Sequence, residues 1–276
     1  MKESELQQNA GESPKTKEIL IPRFGVITIS GRSGTGKTAV AEALAEMYSI
    51  PHSRNIKTGQ LFREISQSGQ EIQGFMEREE FIDHEMDIRQ RDLIQASSVD
   101  TPLILEGRLA GFIASQEKLK DPRIDSEVIS FLFTAPARIR MRRIFKRYLN
   151  DKNREIEQAL LNMSSPDEIE KMYGELREQK RTMTAEWIVN MERKRERKDL
   201  ARWRKIHRQL RGIDPFSPNN RDNKGNRIYN FVIPTGTKTV AQVVETINQL
   251  LITNGYVEKD MGSQIPRAAT IFQAQN

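Results

Sequence analysis

The chain has 276 residues, with 44 Lys and Arg residues against 38 Asp and Glu residues. It contains no cysteine, which excludes disulfide scaffolds, thiolate zinc sites, iron–sulfur clusters and cysteine nucleophiles. No apolar run approaches the roughly 18 residues of a membrane span, and the first residues are too polar for a signal peptide. We therefore expect a soluble protein in a reducing, cytoplasmic setting, without contact with a membrane.

The predicted elements alternate between strands and helices. In chain order they are a strand at Gly25–Ser30, a helix at 37–48, a mostly helical stretch at 59–97 with breaks at Gly69 and Gly74, strands at Leu103–Leu105 and Val128–Phe133, a long helix from about 165 to 211, a strand at Ile228–Ile233 and a helix at 239–252. Such alternation is typical of βαβ units. The sequence therefore predicts an α/β fold with a parallel β-sheet covered on both faces.

One domain is expected to span residues 21–253. Residues 1–20 are polar and show no periodic apolar positions, so we expect a disordered tail there and a second tail at 254–276. The long helix is predicted to start at Ser165–Glu168, which has the pattern of a capping box with proline at the first helical position. Gly212 is predicted to end it.

Positive charge is concentrated in one segment. Residues 138–211 contain 22 of the 44 Lys and Arg residues but 12 of the 38 Asp and Glu residues, which gives this segment a net charge of +10. An anionic partner can dock on such a segment, although a solvated helix surface has the same composition. Two sets of residues share a helix face by their spacing: Arg140, Arg143 and Arg147, and then Arg195, Asp199 and Arg202.

The strongest motif follows the first predicted strand. Residues 31–38 read GRSGTGKT, the pattern of a phosphate-binding loop in its expected strand–loop–helix context. Glycines let backbone N–H groups surround an anion, and the following helix adds the positive end of its dipole. Lys37 is predicted to bridge β- and γ-phosphate oxygens, and the Thr38 hydroxyl to bind Mg²⁺. The predicted ATP-binding residues are Gly31, Ser33, Gly34, Thr35, Gly36, Lys37 and Thr38.

Two further motifs mark where a phosphoryl acceptor can bind. Thr58 and Arg63 open a predicted helix, and an Arg one turn into a helix can hold a phosphate, although an exposed surface Arg would look the same. Glu106, Gly107 and Arg108 follow a buried strand, at the edge where parallel sheets bind ligands. Glu106 can hold Mg²⁺ through water and Arg108 can bind a phosphate or a base edge. A local ion pair between the two is the alternative.

Together these motifs resemble the nucleoside monophosphate kinases, most closely the cytidylate kinases of the archaeal type. The resemblance rests on TGQLFRE at 58–64, LILEGRLAG at 103–111, RIRMRRIFKR at 138–147, R-E-x-x-D-x-x-R-W at 195–203, GID at 212–214 and YNFVIPT at 229–235. It implies a three-layer P-loop fold with helical segments for the nucleoside monophosphate and for a lid, in which residues 151–192 are an insertion. It also implies ATP and Mg²⁺ as cofactors and CMP or dCMP as the acceptor.

The resemblance further implies roles for individual residues. The predicted catalytic residues are Lys37, Glu106, Arg143 and Arg147, of which the two arginines belong to the lid. The residues implied to bind the acceptor are Thr58, Arg63, Gly107, Arg108, Arg195, Asp199 and Arg202.

Two alternatives remain open at this point. A related P-loop kinase would phosphorylate UMP, AMP or an alcohol, and an alcohol would need Glu106 as a general base. A nucleotide-switched binding protein would instead dock a partner on the basic region 151–211. Nucleic acid is a disfavoured partner, because stacking aromatic residues are not interleaved with the basic ones.

Overall fold

The computed structural model describes residues 19–67, 78–161, 170–171 and 185–260. Its strands are β1 (Ile19–Pro22), β2 (Val26–Gly31), β3 (Asn55–Lys57), β4 (Leu103–Glu106), β5 (Val128–Thr134), β6 (Phe231–Pro234) and β7 (Val257–Asp260). Its helices are α1 (Lys37–Met47), α2 (Thr58–Gln67), α3 (Arg78–Gln95), α4 (Ala110–Lys118), α5 (Pro122–Glu127), α6 (Ala137–Leu161), α7 (Ala185–Ile206) and α8 (Val240–Thr253). Within these ranges, no helix combines the length and the apolar character needed to cross a membrane.

The predicted parallel sheet is confirmed. Five strands lie in the order β3-β4-β2-β5-β6, and each neighbouring pair is parallel. All residues of β2 and β4 are buried, as expected for central strands covered on both faces. The polar side chains inside this layer satisfy each other, since the Thr28 hydroxyl donates to Ser130 Oγ at 2.9 Å. The edge strand of this sheet, β6, begins at Phe231, later than its predicted start at Ile228.

Helices cover both faces of the sheet, so that the fold has three layers and two apolar cores. On one face Ile27 of β2 packs in a cluster with Leu44 of α1 and Ile247 of α8. On the other face Leu105 of β4 belongs to a cluster with Phe112 of α4. Successive residues of a strand point to opposite faces, and each central strand therefore contributes to both cores.

Ordered structure extends beyond the predicted boundaries of the domain. β1 and β7 form a separate antiparallel pair, in which Ile19 lies opposite Asp260 and Pro22 opposite Val257. Residues 19–20 and 254–260 therefore belong to ordered structure rather than to the predicted tails, because each strand supplies hydrogen-bond partners for the backbone of the other. The rest of both predicted tails, residues 1–18 and 261–276, lies outside the described residues.

The long predicted helix ends earlier than expected. α7 stops at Ile206, and a short 3₁₀ turn at Arg208–Leu210 follows. His207 interrupts the helix, because its backbone is extended (φ −107°, ψ 103°) and its buried imidazole lies beside Asp87 of α3. Three predicted features lie outside the described residues: the capping box at Ser165–Glu168 and the breaks at Gly69 and Gly74.

Candidate active site

The predicted site residues gather at one edge of the sheet, where the parallel strands end. The loop 31–38 follows β2, Thr58 follows β3, and Glu106–Arg108 lie at the end of β4. Gly107 lies directly against Thr58, because a Cβ atom on Gly107 would be 2.5 Å from Thr58 Cγ2. The pairing of β3 with β4 therefore brings together two motifs that are distant in sequence.

The phosphate-binding loop has an unusual backbone that requires glycine. Gly34 has a φ of 78°, and Gly36, which precedes α1, has a φ of 89°. Side-chain-bearing residues rarely adopt these left-handed values. The loop is also tightly packed at Gly34, where a Cβ atom would lie 2.5 Å from the carbonyl oxygen of Arg140. Within the loop the Thr35 hydroxyl donates to the carbonyl oxygen of Arg32 at 2.9 Å.

Lys37 and Thr38 begin α1 and face the end of β4. The Lys37 ammonium donates to the carbonyl oxygen of Gly31 at 3.0 Å and lies 3.7 Å from Glu106 Oε1. The Thr38 hydroxyl donates to Glu106 Oε2 at 3.1 Å. Burial lowers the pKa of Lys37 to about 8, an effect that Glu106 opposes and nearby arginines increase. At neutral pH most of the Lys37 side chains therefore remain charged and can attract phosphate.

α6 lies over this loop through two arginines of the face predicted from spacing. Arg143 Nη2 donates to the carbonyl oxygen of Thr235 at 2.8 Å. The Thr235 hydroxyl in turn donates to the carbonyl oxygen of Thr35 at 2.8 Å. Arg140 Nη1 donates to the carbonyl oxygen of Ser33 at 3.3 Å. These bonds hold α6 and the segment after β6 against the loop, a role of Thr235 that no sequence signal indicated.

A cavity of about 370 Å³ lies beside Thr235, between the carboxyl ends of β5 and β6. Its lining residues are Thr134, Ala135, Pro136, Pro234, Gly236 and Thr237. The lining is largely apolar, and Thr235 beside it donates to the carbonyl oxygen of Thr35 in the phosphate-binding loop. Apolar spaces of this size are typical of small-molecule sites.

Arg108 occupies the centre of a second group of residues. Its Nη1 donates to Asp199 Oδ2 of α7, and its guanidinium carbon lies 4.9 Å from the centre of the Trp203 ring and 5.8 Å from that of Phe216. Its Nε and Nη2 atoms are buried and have no hydrogen-bond partner among the described residues. The alternative of a local ion pair between Glu106 and Arg108 is wrong, because Glu106 contacts the phosphate-binding loop instead.

Ion pairs join α7 to α3 on the same side of the site. Arg202 donates to Asp83 Oδ2 through Nε and to Asp199 Oδ1 through Nη2, the latter at 2.9 Å. Burial raises the pKa of Asp83, and the contact with Arg202 opposes this. Asp87 Oδ2 lies 3.0 Å from His207 Nε2. Sequence reasoning left Asp83 and Asp87 without a role, since their partners are more than a hundred residues away in the chain.

Glu196 connects these residues to the phosphate-binding loop. Its Oε2 accepts from Arg32 Nη1 at 3.1 Å, its Oε1 accepts from Arg140 Nη1 at 3.0 Å, and Arg108 Nη2 lies 3.9 Å away. Glu196 stands next to Arg195 in the motif at 195–203, but sequence reasoning assigned it nothing. Only the fold reveals that three arginines from three elements surround it.

Three predicted residues lie at the surface around the site. Arg195 is 60% exposed, with its Nε 3.9 Å from Asp199 Oδ2. Arg147 is exposed on α6, and its charge contributes to the lowered pKa of Lys37. Arg63 is exposed on α2 and makes no ion pair with another described residue. The roles predicted for these three residues stay predictions.

The sheet, the strand–loop–helix unit and the loop geometry define the chain as an α/β protein of the P-loop class. A sequence profile of the AAA domain matches residues 30–159. Three archaeal proteins described as cytidylate kinase are also similar. The one from Methanopyrus kandleri is 38% identical over 44% of this chain and 62% of its own length. The one from Methanocaldococcus jannaschii is 34% identical over 46% of this chain and 67% of its own length. The one from Methanococcus aeolicus is 30% identical over 55% of this chain and 78% of its own length.

The chain therefore belongs to the P-loop family that contains these archaeal cytidylate kinases. It spans less than two thirds of the Methanopyrus kandleri relative. Among solved structures, a gluconokinase from Sinorhizobium meliloti 1021 is 12% identical with a TM-score of 0.42, over 85% of this chain and 97% of that one. A shikimate kinase from Bacteroides thetaiotaomicron is 10% identical with a TM-score of 0.39, over 83% of this chain and 98% of that one. The family assignment rests on the sequence relatives and not on these structures.

Proposed function

We propose that the chain transfers the γ-phosphoryl group of ATP to the phosphate of CMP or dCMP. The observation that carries this proposal is the end of β4. There Glu106 contacts Lys37 and Thr38 of the phosphate-binding loop, while Arg108, two residues later, contacts Asp199 of α7. One strand end thus joins the residues suited to a phosphoryl donor and those suited to an acceptor.

On the donor side, ATP would bind with its phosphates on the loop 31–38 and its base in the cavity beside Thr235. Lys37 would then exchange its contact with the Gly31 carbonyl, at 3.0 Å, for phosphate oxygens. The Thr38 hydroxyl and the Glu106 carboxylate, 3.1 Å apart, are oxygen donors of the kind that Mg²⁺ prefers. Mg²⁺ held there would neutralise charge on the donor phosphates.

On the acceptor side, Arg108 Nε and Nη2 are the strongest support for a bound phosphate, because both are buried and neither makes a hydrogen bond to a described residue. Glu196 Oε1 lies 3.9 Å from Nη2, beyond hydrogen-bond distance. A buried guanidinium with free N–H groups binds an oxyanion through two parallel hydrogen bonds. Gly107 precedes Arg108 and lies against Thr58. Arg195, Asp199 and Arg202 would contact the rest of the acceptor nucleotide. Arg63 would reach the acceptor from α2. Cytidine is proposed as the nucleoside from the descriptions of the relatives.

The transfer needs positioning and positive charge rather than a base. An oxygen of the acceptor monophosphate, already ionised near neutral pH, attacks the γ-phosphorus, and the bond from that phosphorus to the β-phosphate oxygen breaks to leave ADP. Lys37, Arg143 and Arg147 would stabilise the charge that spreads over the transferred group. Closure of α6 over the phosphates would exclude water and so prevent hydrolysis of ATP.

The proposal is tested by ADP release from the full chain, ATP and Mg²⁺ with each nucleoside monophosphate in turn. We expect CMP and dCMP to give the highest kcat/KM, and Lys37→Ala and Arg108→Ala to lower it by at least about 100-fold. Lys224→Ala, at an exposed position outside the residues assigned to the site, is the control and should match the wild type. Stimulation by UMP, AMP or an alcohol alone would change the acceptor, and no stimulation at all would refute a kinase.

A further inference from the structure

A basic cleft lies on the side of α7 that faces away from Arg202. It has a volume of about 600 Å³ and is lined by Arg32, Asn190, Arg193, Lys194, Glu196, Arg197 and Leu200. Successive residues of a helix are rotated by about 100°, so Arg193 and Arg197 lie on the opposite side of α7 from Arg202. These two arginines are therefore on a different face from the one proposed for the acceptor, and Glu196, 3.9 Å from Arg108, lies between the two faces.

The three cations that α7 contributes to this cleft have no paired carboxylate among the described residues. Arg193, Lys194 and Arg197 are exposed, and in the described part of the chain no carboxylate forms an ion pair with any of them. Glu196 is the one acidic residue of the lining, and Arg32 and Arg140 already neutralise it at 3.1 and 3.0 Å. Three like charges within one turn of a helix repel one another, and a bound anion would remove this repulsion.

A second element forms one wall of the cleft. Arg32 belongs to the phosphate-binding loop, and its guanidinium is held by Glu196 and by Asp214, the latter at 2.7 Å, and lies 4.8 Å from the centre of the Phe216 ring. The cations therefore line a concave space with a fixed wall rather than a convex helix surface. Asn190 adds an amide and Leu200 an apolar contact. A volume of this size is typical of small-molecule sites.

We propose that this cleft binds a small anion with several phosphate groups, such as an oligophosphate or the phosphate chain of a nucleotide, as a site separate from the active site. Two arginines one turn apart can each bind a phosphate through a pair of hydrogen bonds, and Lys194 adds a third positive charge. The small volume of the cleft and the absence of aromatic residues from its lining favour a small ligand over a nucleic acid strand.

The test is a calorimetric titration of the full chain with inorganic tripolyphosphate, with ADP and Mg²⁺ present at saturation so that the phosphate-binding loop is occupied. The variant Arg193→Ala/Arg197→Ala removes two cations of the cleft. Its matched control, Arg208→Ala/Arg211→Ala, removes two exposed arginines of the same basic segment that do not line the cleft. All four positions are at the surface, so both variants are expected to fold, which circular dichroism checks.

We expect the wild type and the control to bind one equivalent of tripolyphosphate and the cleft variant to bind it at least tenfold more weakly. Equal affinities for all three proteins would overturn the proposal. A single-stranded RNA 12-mer is titrated in parallel. Cleft-dependent binding of the RNA without binding of tripolyphosphate would also overturn the proposal. Failure of ADP to bind would contradict the proposed kinase function. The difference in tripolyphosphate affinity between the two variants would still test the cleft.

Discussion

The donor and acceptor sides of the candidate site are held together by different forces. The donor loop is local: its eight residues join β2 to α1, its contacts are largely to backbone carbonyl groups, and it stands on a fully buried strand. The acceptor side is assembled from charged side chains that are distant in sequence, such as Arg108 with Asp199 and Asp83 with Arg202. The donor side should therefore depend on backbone conformation, and the acceptor side on the completeness of its ion pairs.

Removal of one carboxylate should have the largest effect. Asp199→Ala leaves the largely buried guanidinium groups of Arg108 and Arg202 without a shared acceptor. Breaking a buried ion pair in this way costs about 3 kcal/mol, near the lower end of the usual range because other carboxylates remain nearby. Urea denaturation followed by circular dichroism measures the loss.

The control for this prediction is Arg195→Ala on the same helix face. Arg195 is 60% exposed and 3.9 Å from Asp199, so its loss should change the free energy of unfolding by less than about 0.5 kcal/mol. Equal effects of the two substitutions would mean that the acceptor side does not depend on its buried charges.

On the donor side, a single methyl group should have the next largest effect. Gly34→Ala places a Cβ atom 2.5 Å from the Arg140 carbonyl oxygen at a φ of 78°, so the loop must move. We expect kcat/KM for ATP to fall by about 100-fold, an effect within the range seen when phosphate contacts are lost.

The matched control is Gly225→Ala, which has a φ of 85° but no atom within 4 Å of the added Cβ. It should cost about 1–2 kcal/mol of stability from backbone strain alone and leave the activity unchanged. Full activity of Gly34→Ala would contradict the importance of the loop conformation.

The pH dependence of nucleotide binding should be smaller. The pKa of Lys37 is lowered to about 8, chiefly by burial, so the free protein loses this proton near pH 8 while a phosphate-bound complex retains it. ADP affinity should therefore fall as pH rises from 7.5 to 9.5, by at most about tenfold per pH unit. Calorimetry of the wild type and of Lys37→Arg, whose guanidinium stays charged, distinguishes the loss of affinity caused by deprotonation of Lys37 from general effects of pH. A flat profile for the wild type would exclude Lys37 as a phosphate contact.

The smallest effect is expected at α8, which packs on the same face of the sheet as α1. Thr239 and Gln242 form a reciprocal capping box at its start. Thr239→Ala should lower the free energy of unfolding by about 1 kcal/mol without a change in kcat/KM. Val240→Ala, at an exposed residue of the same turn, is the control and should change stability by less than about 0.5 kcal/mol. A loss of activity in Thr239→Ala would show that the donor side depends on the start of α8 and not only on the conformation of the phosphate-binding loop.

The accuracy of sequence reasoning differs between the same two regions. Residues 31–38 and 103–108 were recognisable because a buried strand followed by glycine, lysine or charged residues is a local pattern. Glu196 and His207 were not recognisable as organising residues, because their partners lie on α3, α6 and the loop after β2. Spacing placed Arg195 with Asp199 and Arg202 on one helix face, but Arg195 is exposed while the other two are largely buried, a difference that spacing does not determine.

By itself, the sequence indicated the parallel α/β sheet, the order of its main elements and the phosphate-binding loop, since local residue patterns mark the strands and helices and their alternation is typical of parallel βαβ units. Tertiary structure alone decided that Glu106 contacts Lys37 rather than Arg108, that β1 and β7 pair, and that α7 ends at His207. The physical reason is that a charged side chain can form an ion pair with any of several oppositely charged residues. Only the packing of α3, α6 and α7 around the end of the sheet selects which partner is within reach.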